Sequence, residues 1–545
     1  MIDHKKDYND LPQTAVDFID SVIKRVRYRK KVRLEVRDEL IDHFTMALSE
    51  CNTPEQKEAA VKEMIEKFGD IKTLACLIRR GKKRCRPLWK KIIIRTFQGI
   101  GIFILCFILY AVWFFTGDAN PTIDYLEAFN ERVRPKIVDE DNAWPYYEKG
   151  MNLLVEAEEE LKDLLPQIGR YGIMRGDVLN VQDQIAVTAW IDKNEMAWQG
   201  FSKAVQKPYC YRKYNYGHPD DKWLLSVMLP HISKLRQIAR LGMSRCKQAL
   251  EGGNTDIALR DSITLAKSSR HWQGRKTLIE ALVGMAVGSY GCQGILNVAA
   301  SDTVTSVQLK EMYNELSTVY STGYPPIELE GEKTILMDVI QHCFTDGGPG
   351  GGHLVPRELS MVMDSDDLEE ELLVLSGALV HAGRDDVVAK ANEAYNKFEK
   401  LSKMSPFERQ KVESGFEDVR LELPEYRYFL LRSMLPKLGR VTDLRYEHKA
   451  LYDAALTVLA ARRWQLEKGV LPVDLNELVE AGYLDRVPDD PYSDGPLVYR
   501  VDGDGFVLYS AGRNFTDDGG IAGTDTKDHN KPWGETGDAV FWPVR

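Results

Sequence analysis

Carboxylates and glycines lie close together near the carboxyl terminus, in a pattern that could bind a cation. Asp517-Asp518-Gly519-Gly520 is followed by Asp525 and Asp528. Calcium takes roughly six to eight oxygen ligands, and glycine lets backbone carbonyls turn inward to supplement the carboxylates. Aspartate and glycine are also the residues that solvated turns prefer. The residues alone therefore leave two interpretations open, a calcium site and a solvated acidic loop.

Other residue types that could do chemistry fall at spacings that do not favour it. The glycine-rich segment 347–352 lacks the Lys-Ser/Thr of a phosphate-binding loop. The acidic run 364–371 would wrap around a helix, so it does not aim a carboxylate pair at one bond. The chain contains no G-x-S-x-G and no HExxH. Without a second ligand at helical spacing, His43 is expected to be a surface or half-buried histidine. These patterns favour a protein without catalytic activity, although they do not exclude an enzyme.

One segment, residues 97–115, FQGIGIFILCFILYAVWFF, is apolar on every side and divides the chain into two parts. At about 1.5 Å per residue this helix is roughly 29 Å long, which matches a hydrocarbon core of about 30 Å. A core helix would be amphipathic, and a signal peptide would lie at the extreme amino terminus. We therefore expect a single membrane-spanning helix within 92–116.

Charge predicts the orientation of this helix. Nine lysines and arginines lie between residues 79 and 95, whereas Asp118, Asp124 and Glu127 follow the apolar stretch. By the positive-inside rule, residues 1–91 stay in the cytoplasm and residues 117–545 are exported, which places the protein in the cytoplasmic (inner) membrane.

The net charge of −10 is divided unevenly along the chain. Residues 1–91 carry +7, so the remainder carries −17. The basic part can attract anionic lipid next to the membrane. The acidic part argues against nucleic acid as a ligand.

Four cysteines, Cys210, Cys246, Cys292 and Cys343, fall in the part predicted to be exported, where disulfides persist. Four cysteines allow three pairings, and the sequence does not choose among them. Disulfide bonds and free buried thiols both remain open.

Residues 1–91 predict two or three short helices, the third beginning at Thr53-Pro54 with a capping threonine and proline at the first helical position. The same residues contain the pattern Leu34-x-x-x-x-Glu39-Leu40-x-x-His43, then Phe68-Gly69-Asp70, then Leu74-Ala75. This segment resembles the small helical signalling domain abbreviated HAAS and the related permease prefix domains. The resemblance implies a module that precedes membrane helices and communicates with cytoplasmic regulators.

Residues 120–444 predict a succession of helices with short breaks. Apolar residues recur at steps of three and four in 231–250, a glycine turn follows at Gly252-Gly253, and further helices run through 257–266 and 278–290. Ser405-Pro406-Phe407-Glu408 is a second clear helix start. Small residues at the expected crossings favour either a helical-hairpin solenoid or an irregular bundle. The segment 241–266 is loosely similar to a tetratricopeptide hairpin, but no regular 34-residue period is evident.

Residues 445–545 change in character, with a long helix to about Glu467 followed by strands 497–501 and 506–510 joined by Asp502-Gly503-Asp504-Gly505. Between and after these elements lie Leu471-Pro472, Val487-Pro488-Asp489-Asp490-Pro491, Ser510-Ala511-Gly512 and Asp517-Asp518-Gly519-Gly520. This order resembles the carboxyl-terminal half of the major pseudopilins of type II secretion systems. A pseudopilin opens with its own membrane helix, whereas this module lies over 300 residues from the anchor, which suggests a borrowed domain.

The pseudopilin resemblance implies a calcium ion in the final loop. Asp517, Asp518 and Asp525 match the oxygen donors of that family, and Asp528 is a further candidate. Calcium is therefore the one cofactor that the sequence leads us to expect.

The expected fold is mainly α, with one transmembrane helix and a small carboxyl-terminal α+β module. The overall plan, including the segment Asp141–Tyr147, resembles single-pass membrane proteins of planctomycete-type bacteria, a resemblance that implies no activity. The function we expect is a membrane-anchored exported scaffold that binds protein partners on one or both sides and can signal to a cytoplasmic regulator. Two alternatives remain: a structural or secretion-apparatus component, which oligomerisation through the 445–467 helix would favour, and an enzyme with its site in 120–444.

Overall fold

The computed structural model describes residues 8, 10–84, 88–136, 139–165, 180–217, 223–227, 229–274, 276–361, 380–524 and 533–544. The chain divides into two compact units, Met1–Trp113 and Phe114–Arg545. Helices dominate the described residues of both units, as the sequence predicts, and three strands form one small sheet.

The first unit begins with four short helices: α1 Gln13–Arg25, α2 Lys30–Leu48, α3 Pro54–Phe68 and α4 Ile71–Arg84. Their apolar faces share one core, and α3 begins as predicted, with the Thr53 side chain accepting the backbone N–H of Gln56. The sequence predicted two or three helices, whereas α4 is a fourth. His43 is exposed, with its ring centroid 5.4 Å from that of Phe68.

The helix α5, Leu88–Phe115, contains the apolar stretch identified from the sequence. Its segment Ile92–Phe115 is long and apolar enough to cross a membrane, and 0% of its apolar window is buried by protein. A second helix, α13 Leu278–Ala299, meets the same criteria of length and composition, but 72% of its window is buried. The prediction of a single membrane span is therefore not confirmed, because composition identifies two candidates.

The second unit opens with five helices that pack partly against one another: α6 Tyr125–Val133, α7 Trp144–Leu153, α8 Glu159–Lys162, α9 Val181–Lys193 and α10 Glu195–Ala204. The helices expected from 231–290 follow as α11 His231–Glu251, α12 Thr255–Ser269 and α13, and α14 Ser306–Ser317 comes next. Helix α13 packs closely on α12 because its glycines admit neighbouring backbone. A Cβ at Gly291 would lie 2.3 Å from the backbone nitrogen of Ala266.

Five further helices follow: α15 Glu330–Cys343, α16 Arg384–Lys403, α17 Pro406–Arg409, α18 Phe416–Leu421 and α19 Phe429–Met434. All of them except α17 contribute side chains to a second core. Helix α17 starts with the predicted capping box. The Ser405 side chain accepts the N–H of Glu408, and the Glu408 carboxylate accepts the N–H of Ser405.

The carboxyl-terminal region consists of α20 Leu438–Lys468, α21 Leu475–Glu480, β1 Val498–Asp502, β2 Gly505–Ser510 and β3 Ala539–Trp542. The predicted hairpin is confirmed: β1 and β2 are antiparallel, with Asp502 opposite Gly505, and β3 pairs with the other edge of β2. Helix α20 begins at Leu438 rather than Arg445, and it is capped after Lys468 by Gly469, whose left-handed φ of 74° is favourable for glycine.

This region shares its core with the helices before it. Seventeen of the 31 residues of α20 are buried, and α20 packs against α13, α14 and the sheet. One continuous cluster of buried side chains includes Leu241 and Val287 of the helical region together with Leu459 and Leu508.

Cys210, Cys246, Cys292 and Cys343 are buried free thiols, which selects one of the two alternatives left open by the sequence. Burial raises the pKa of all four, to about 12 for Cys246 and Cys292. These thiols therefore contribute as small apolar core groups.

Candidate functional site

A cleft of about 430 Å³ opens in the second unit where three segments meet. Its walls come from the end of α14 with residues 317–324, from α20, and from residues 484–488 between α21 and β1. We call it the tyrosine cleft, after its four lining tyrosines Tyr313, Tyr320, Tyr324 and Tyr452. Its volume lies in the range of about 300–1,000 Å³ that is typical of small-ligand sites.

The rings of the tyrosine cleft pack on one another. The centroid of Tyr320 lies 4.6 Å from that of Tyr324 and 4.9 Å from that of Tyr452, the second pair being edge-to-face. Such arrangements are favourable for aromatic pairs and hold the rings in fixed orientations.

The hydroxyl groups of three of these tyrosines are used inside the protein. The Tyr320 hydroxyl accepts from Gln273 Nε2 and lies 2.7 Å from Ser269 Oγ. The Tyr324 hydroxyl is bonded to His448 Nδ1, and the Tyr452 hydroxyl donates to the Leu316 carbonyl at 2.9 Å. Ring surface is therefore what these side chains have left to offer a ligand.

The aromatic walls are uncharged over the physiological pH range. Burial raises the pKa of Tyr320, Tyr324 and Tyr452, and it raises the pKa of Tyr313 to about 12. Burial also lowers the pKa of His448 to about 3, so the imidazole behind Tyr324 is neutral.

The charged groups that line the cleft are balanced in sign. Lys449 Nζ lies 2.6 Å from Asp453 Oδ2, one turn along α20. Asp485 and Arg486 are exposed on the opposite segment, where the Asp485 backbone N–H donates to the Tyr313 hydroxyl at 3.0 Å. A ligand therefore meets donors and acceptors without a net field of one sign.

Two contacts position the Tyr324 wall. The Arg445 guanidinium donates to the Pro325 carbonyl at 2.7 Å and lies 5.2 Å from the Tyr324 ring centroid. Behind the wall, His448 fits only because residue 288 of α13 is glycine, since a Cβ there would lie 2.3 Å from His448 Nε2.

A second polar cluster surrounds Glu280 at the start of α13. Its carboxylate accepts from the hydroxyls of Tyr214 at 2.5 Å and Thr277 at 2.9 Å, and it lies 3.1 Å from His231 Nε2. Burial acts to raise the pKa of Glu280, but the bond with His231 and the nearby Lys276 outweigh it and lower the pKa to about 2.

Burial lowers the pKa of His231, so a neutral imidazole donates from Nε2 to the Glu280 carboxylate. A carboxylate–imidazole pair can act as a general acid–base couple only where substrate reaches it. The cavity lined by Thr277 and Lys276 has a volume of about 10 Å³, which is room for about one water. The contacts of the Glu280 cluster therefore fix the start of α13 in the protein core.

The predicted calcium ligands Asp517 and Asp518 lie in one turn after β2. Asp517 Oδ1 accepts from the Tyr509 hydroxyl and the Gly519 N–H, both at 2.9 Å, and Asp518 Oδ2 accepts from Asn514 Nδ2 at 2.7 Å. Asp525 and Asp528 lie outside the described residues.

The structure adds Asp538 to this turn, a residue that the sequence argument missed. Its buried carboxylate accepts the backbone N–H groups of Asp518 at 3.1 Å and Gly520 at 2.7 Å. Burial, then the charges of Asp517 and Asp518, raise its pKa. Among the described residues no group of three or more His, Cys, Asp or Glu side chains is arranged to hold a metal. The carboxylates described here are instead satisfied by protein donors, and calcium stays a prediction that depends on Asp525.

Comparison of the chain with protein-family models, with curated proteins and with solved structures finds no match. The resemblances to HAAS and permease prefix domains and to pseudopilins therefore stay predictions.

Proposed function

We propose that this chain is a membrane-anchored binding protein, held by the single span Ile92–Phe115 in the cytoplasmic membrane. Residues 1–91 would lie in the cytoplasm, and the second unit would be exported. The observation that carries the proposal is an apolar helix long enough to cross a bilayer, with 0% of its apolar window buried by protein. The sequence has ten basic and no acidic residues between Asp70 and Asp118, all ten on the amino-terminal side of the apolar stretch, which supports this orientation.

The tyrosine cleft supports a binding role for the second unit. It is a concave site with aromatic walls and a few polar groups, the usual composition of a ligand site. The Glu280 cluster, by contrast, is next to a cavity of only about 10 Å³, so it offers little support for catalysis. We therefore propose that the second unit binds a partner or an envelope component, and that the cleft itself takes a small ligand.

The alternative of a secretion-apparatus component would use the carboxyl-terminal region as an assembly module. Oligomerisation through the long helix would favour it, but α20 is largely buried against α13 and α14. That burial leaves less helix surface for a second copy and supports the binding role.

Calcium binding by Asp517, Asp518 and Asp525 belongs to the same proposal. In the full-length protein, millimolar calcium should raise the melting temperature, because a cation that binds only the folded state stabilises it. The Asp525→Asn variant should lose most of that rise, and an unchanged melting temperature in the wild type would remove calcium from the proposal.

The anchor and its orientation are tested by cysteine labelling. In a background with Cys51, Cys85 and Cys106 replaced by serine, Cys76 of α4 is exposed, and Asp302→Cys places an exposed thiol in the second unit. An impermeant maleimide should label residue 302 in intact spheroplasts and Cys76 only after permeabilisation. The reverse order would invert the topology, and release of the protein by alkaline carbonate would exclude a spanning anchor.

A further inference from the structure

We propose that the tyrosine cleft binds a neutral saccharide of one or two rings. This inference rests on the proposed binding function of the cleft and adds the chemical class of its ligand. The supporting observations are the surface of its walls, the balance of its charges and its volume.

The walls fit the apolar face of a sugar ring. The hydroxyls of Tyr320, Tyr324 and Tyr452 are bonded to Ser269 and Gln273, to His448 and to the Leu316 carbonyl. The rings therefore contribute ring surface, whose negative face attracts the slightly positive hydrogens of sugar C–H groups.

The polar groups fit sugar hydroxyls, each of which donates and accepts one or more hydrogen bonds. The Lys449 ammonium is a donor, the Asp453 carboxylate is an acceptor, and the two lie 2.6 Å apart on one wall. The Tyr313 hydroxyl is held at this rim by the Asp485 backbone N–H, and the exposed Asp485 side chain beside it adds a second carboxylate acceptor.

The charges disfavour an ionic ligand. An anion would meet Asp453 and Asp485, and a cation would meet Lys449 and Arg486. A cation would also compete with Arg445, which already lies 5.2 Å from the Tyr324 ring centroid. A neutral ligand with many hydroxyls avoids both penalties, because like charges brought together in a partly desolvated site repel.

The volume of the tyrosine cleft limits the size of its ligand. About 430 Å³ suits a small molecule, whereas a folded protein partner requires a far wider surface, roughly 800 Å² on each side. The cleft therefore fits a monosaccharide or disaccharide, either free or as the end of a glycan chain.

The test is calorimetric titration of the full-length protein in lipid nanodiscs, which avoids detergents with sugar headgroups. The neutral probes are cellobiose and N,N′-diacetylchitobiose, and the charged probes are chitosan disaccharide and glucuronic acid. We expect a neutral probe to bind and the charged probes to bind at least about tenfold more weakly.

Two variants locate the binding. Ser321→Trp fills the cleft from an exposed position and should weaken binding at least about tenfold, whereas Thr322→Trp, its exposed neighbour outside the lining, should leave binding unchanged. Tyr324→Leu removes a wall and should also weaken binding. Since that variant also removes the bond to His448, its melting temperature is measured alongside, and Ser321→Trp decides if it fails to fold.

The outcomes separate the saccharide from the binding function. Tighter binding of a charged probe, blocked by Ser321→Trp, overturns the saccharide and retains the cleft as a site. Binding of a neutral probe that Ser321→Trp does not affect overturns the assignment to the cleft. If no probe binds, the saccharide is overturned, and a photo-cross-linking residue at position 321 in native membranes then tests the binding function alone.

Discussion

Helices α5 and α13 are both long and apolar enough to cross a membrane, α5 being the more apolar, yet they have opposite surroundings. The apolar window of α5 has 0% of its residues buried, and that of α13 has 72%. Nothing lies within 4 Å of a Cβ built at Gly99 or Gly101 of α5. Along α13, a Cβ built at Gly284, Gly288, Gly291 or Gly294 would lie 2.7 Å or less from a neighbouring residue. A length and composition that would allow a membrane span are thus compatible with two different environments.

The difference lies in which residues interrupt the apolar sequence. In α13, glycines admit α12 and His448, and Glu280 is bonded to Tyr214, Thr277 and His231. In α5, large side chains such as Phe103 and Leu109 cover the surface and are exposed. Large apolar side chains on every face suit lipid, whereas close glycine contacts and a satisfied buried carboxylate indicate a protein core.

The largest effect should come from a charge placed in each helix. Val287→Asp in α13 buries an unpaired carboxylate at a fully buried position and should unfold the second unit, at a cost above about 4 kcal/mol. Leu105→Arg in α5 should leave that unit folded and instead reduce membrane insertion, by about 3 kcal/mol. Urea unfolding and carbonate extraction, measured on both variants, separate the two effects. Equal loss of stability in both would show that α5 is also a core helix.

The second effect concerns the glycines. Gly291→Leu in α13 forces a side chain into the Ala266 backbone and should destabilise the protein by about 3 kcal/mol. Gly101→Leu in α5 is the matched control and should leave the urea midpoint unchanged, because nothing lies within 4 Å. A midpoint that falls equally in both variants would contradict the close packing of α13.

The third effect is a pH dependence that α13 has and α5 lacks. The pKa of Glu280 is lowered from 4.5 to about 2. Its stabilising contribution is therefore present above pH 4.5 and is lost as the pH falls toward 2, by roughly 3 kcal/mol. The Glu280→Gln variant should lose less stability than the wild type over this range of pH, as followed by urea midpoints.

The control for this pH series is Glu148→Gln, an exposed position on α7, which should follow the wild type. Burial lowers the pKa of His231, so unfolding takes up a proton there at acid pH. The wild type and the Glu280→Gln variant therefore both lose some stability below pH 6.5. The two curves are therefore compared below pH 4.5. Parallel curves for the wild type and the Glu280→Gln variant in that range would show that the pKa of Glu280 is not lowered in the folded protein.

The smallest effect comes from the helix start. Thr277→Ala removes one half of the capping box of α13 and should cost about 1 kcal/mol, measured by the urea midpoint. Thr96→Ala in α5 is the matched control, because the exposed Thr96 hydroxyl donates only to the Ile92 carbonyl one turn before it. A midpoint unchanged by Thr277→Ala would show that Glu280 is held without this cap.

Local patterns were enough to predict many individual elements. Thr53 and Ser405 begin helices where capping chemistry predicts them, and the turn at residues 502–505 joins β1 to β2. These elements depend on residues that are at most four positions apart, so the local sequence is sufficient to predict them. The fourth helix of the first unit was missed because its apolar residues Ile71, Leu74 and Ile78 precede a run of basic residues.

The tyrosine cleft could not be predicted in this way. Tyr320 and Tyr452 are more than 130 residues apart, and only the packing of α20 on α14 brings their rings to 4.9 Å. The repeated tyrosines of 313–324 are the one local signal, and they match core residues equally well. Asp538 was missed for the same reason, since it reaches the turn of Asp517 through the pairing of β3 with β2.

Local residue patterns were enough to predict the apolar helix at 97–115, the charge difference on either side of it, the helical character of the chain and the carboxyl-terminal hairpin. These follow from local propensity, period and charge, which need no distant contact. Three features became visible only in the folded chain: α13 lies in a protein core, Cys210, Cys246, Cys292 and Cys343 are free thiols, and four tyrosines share one cleft. Burial and proximity between distant residues arise when helices pack, and a linear pattern of residues does not specify that packing.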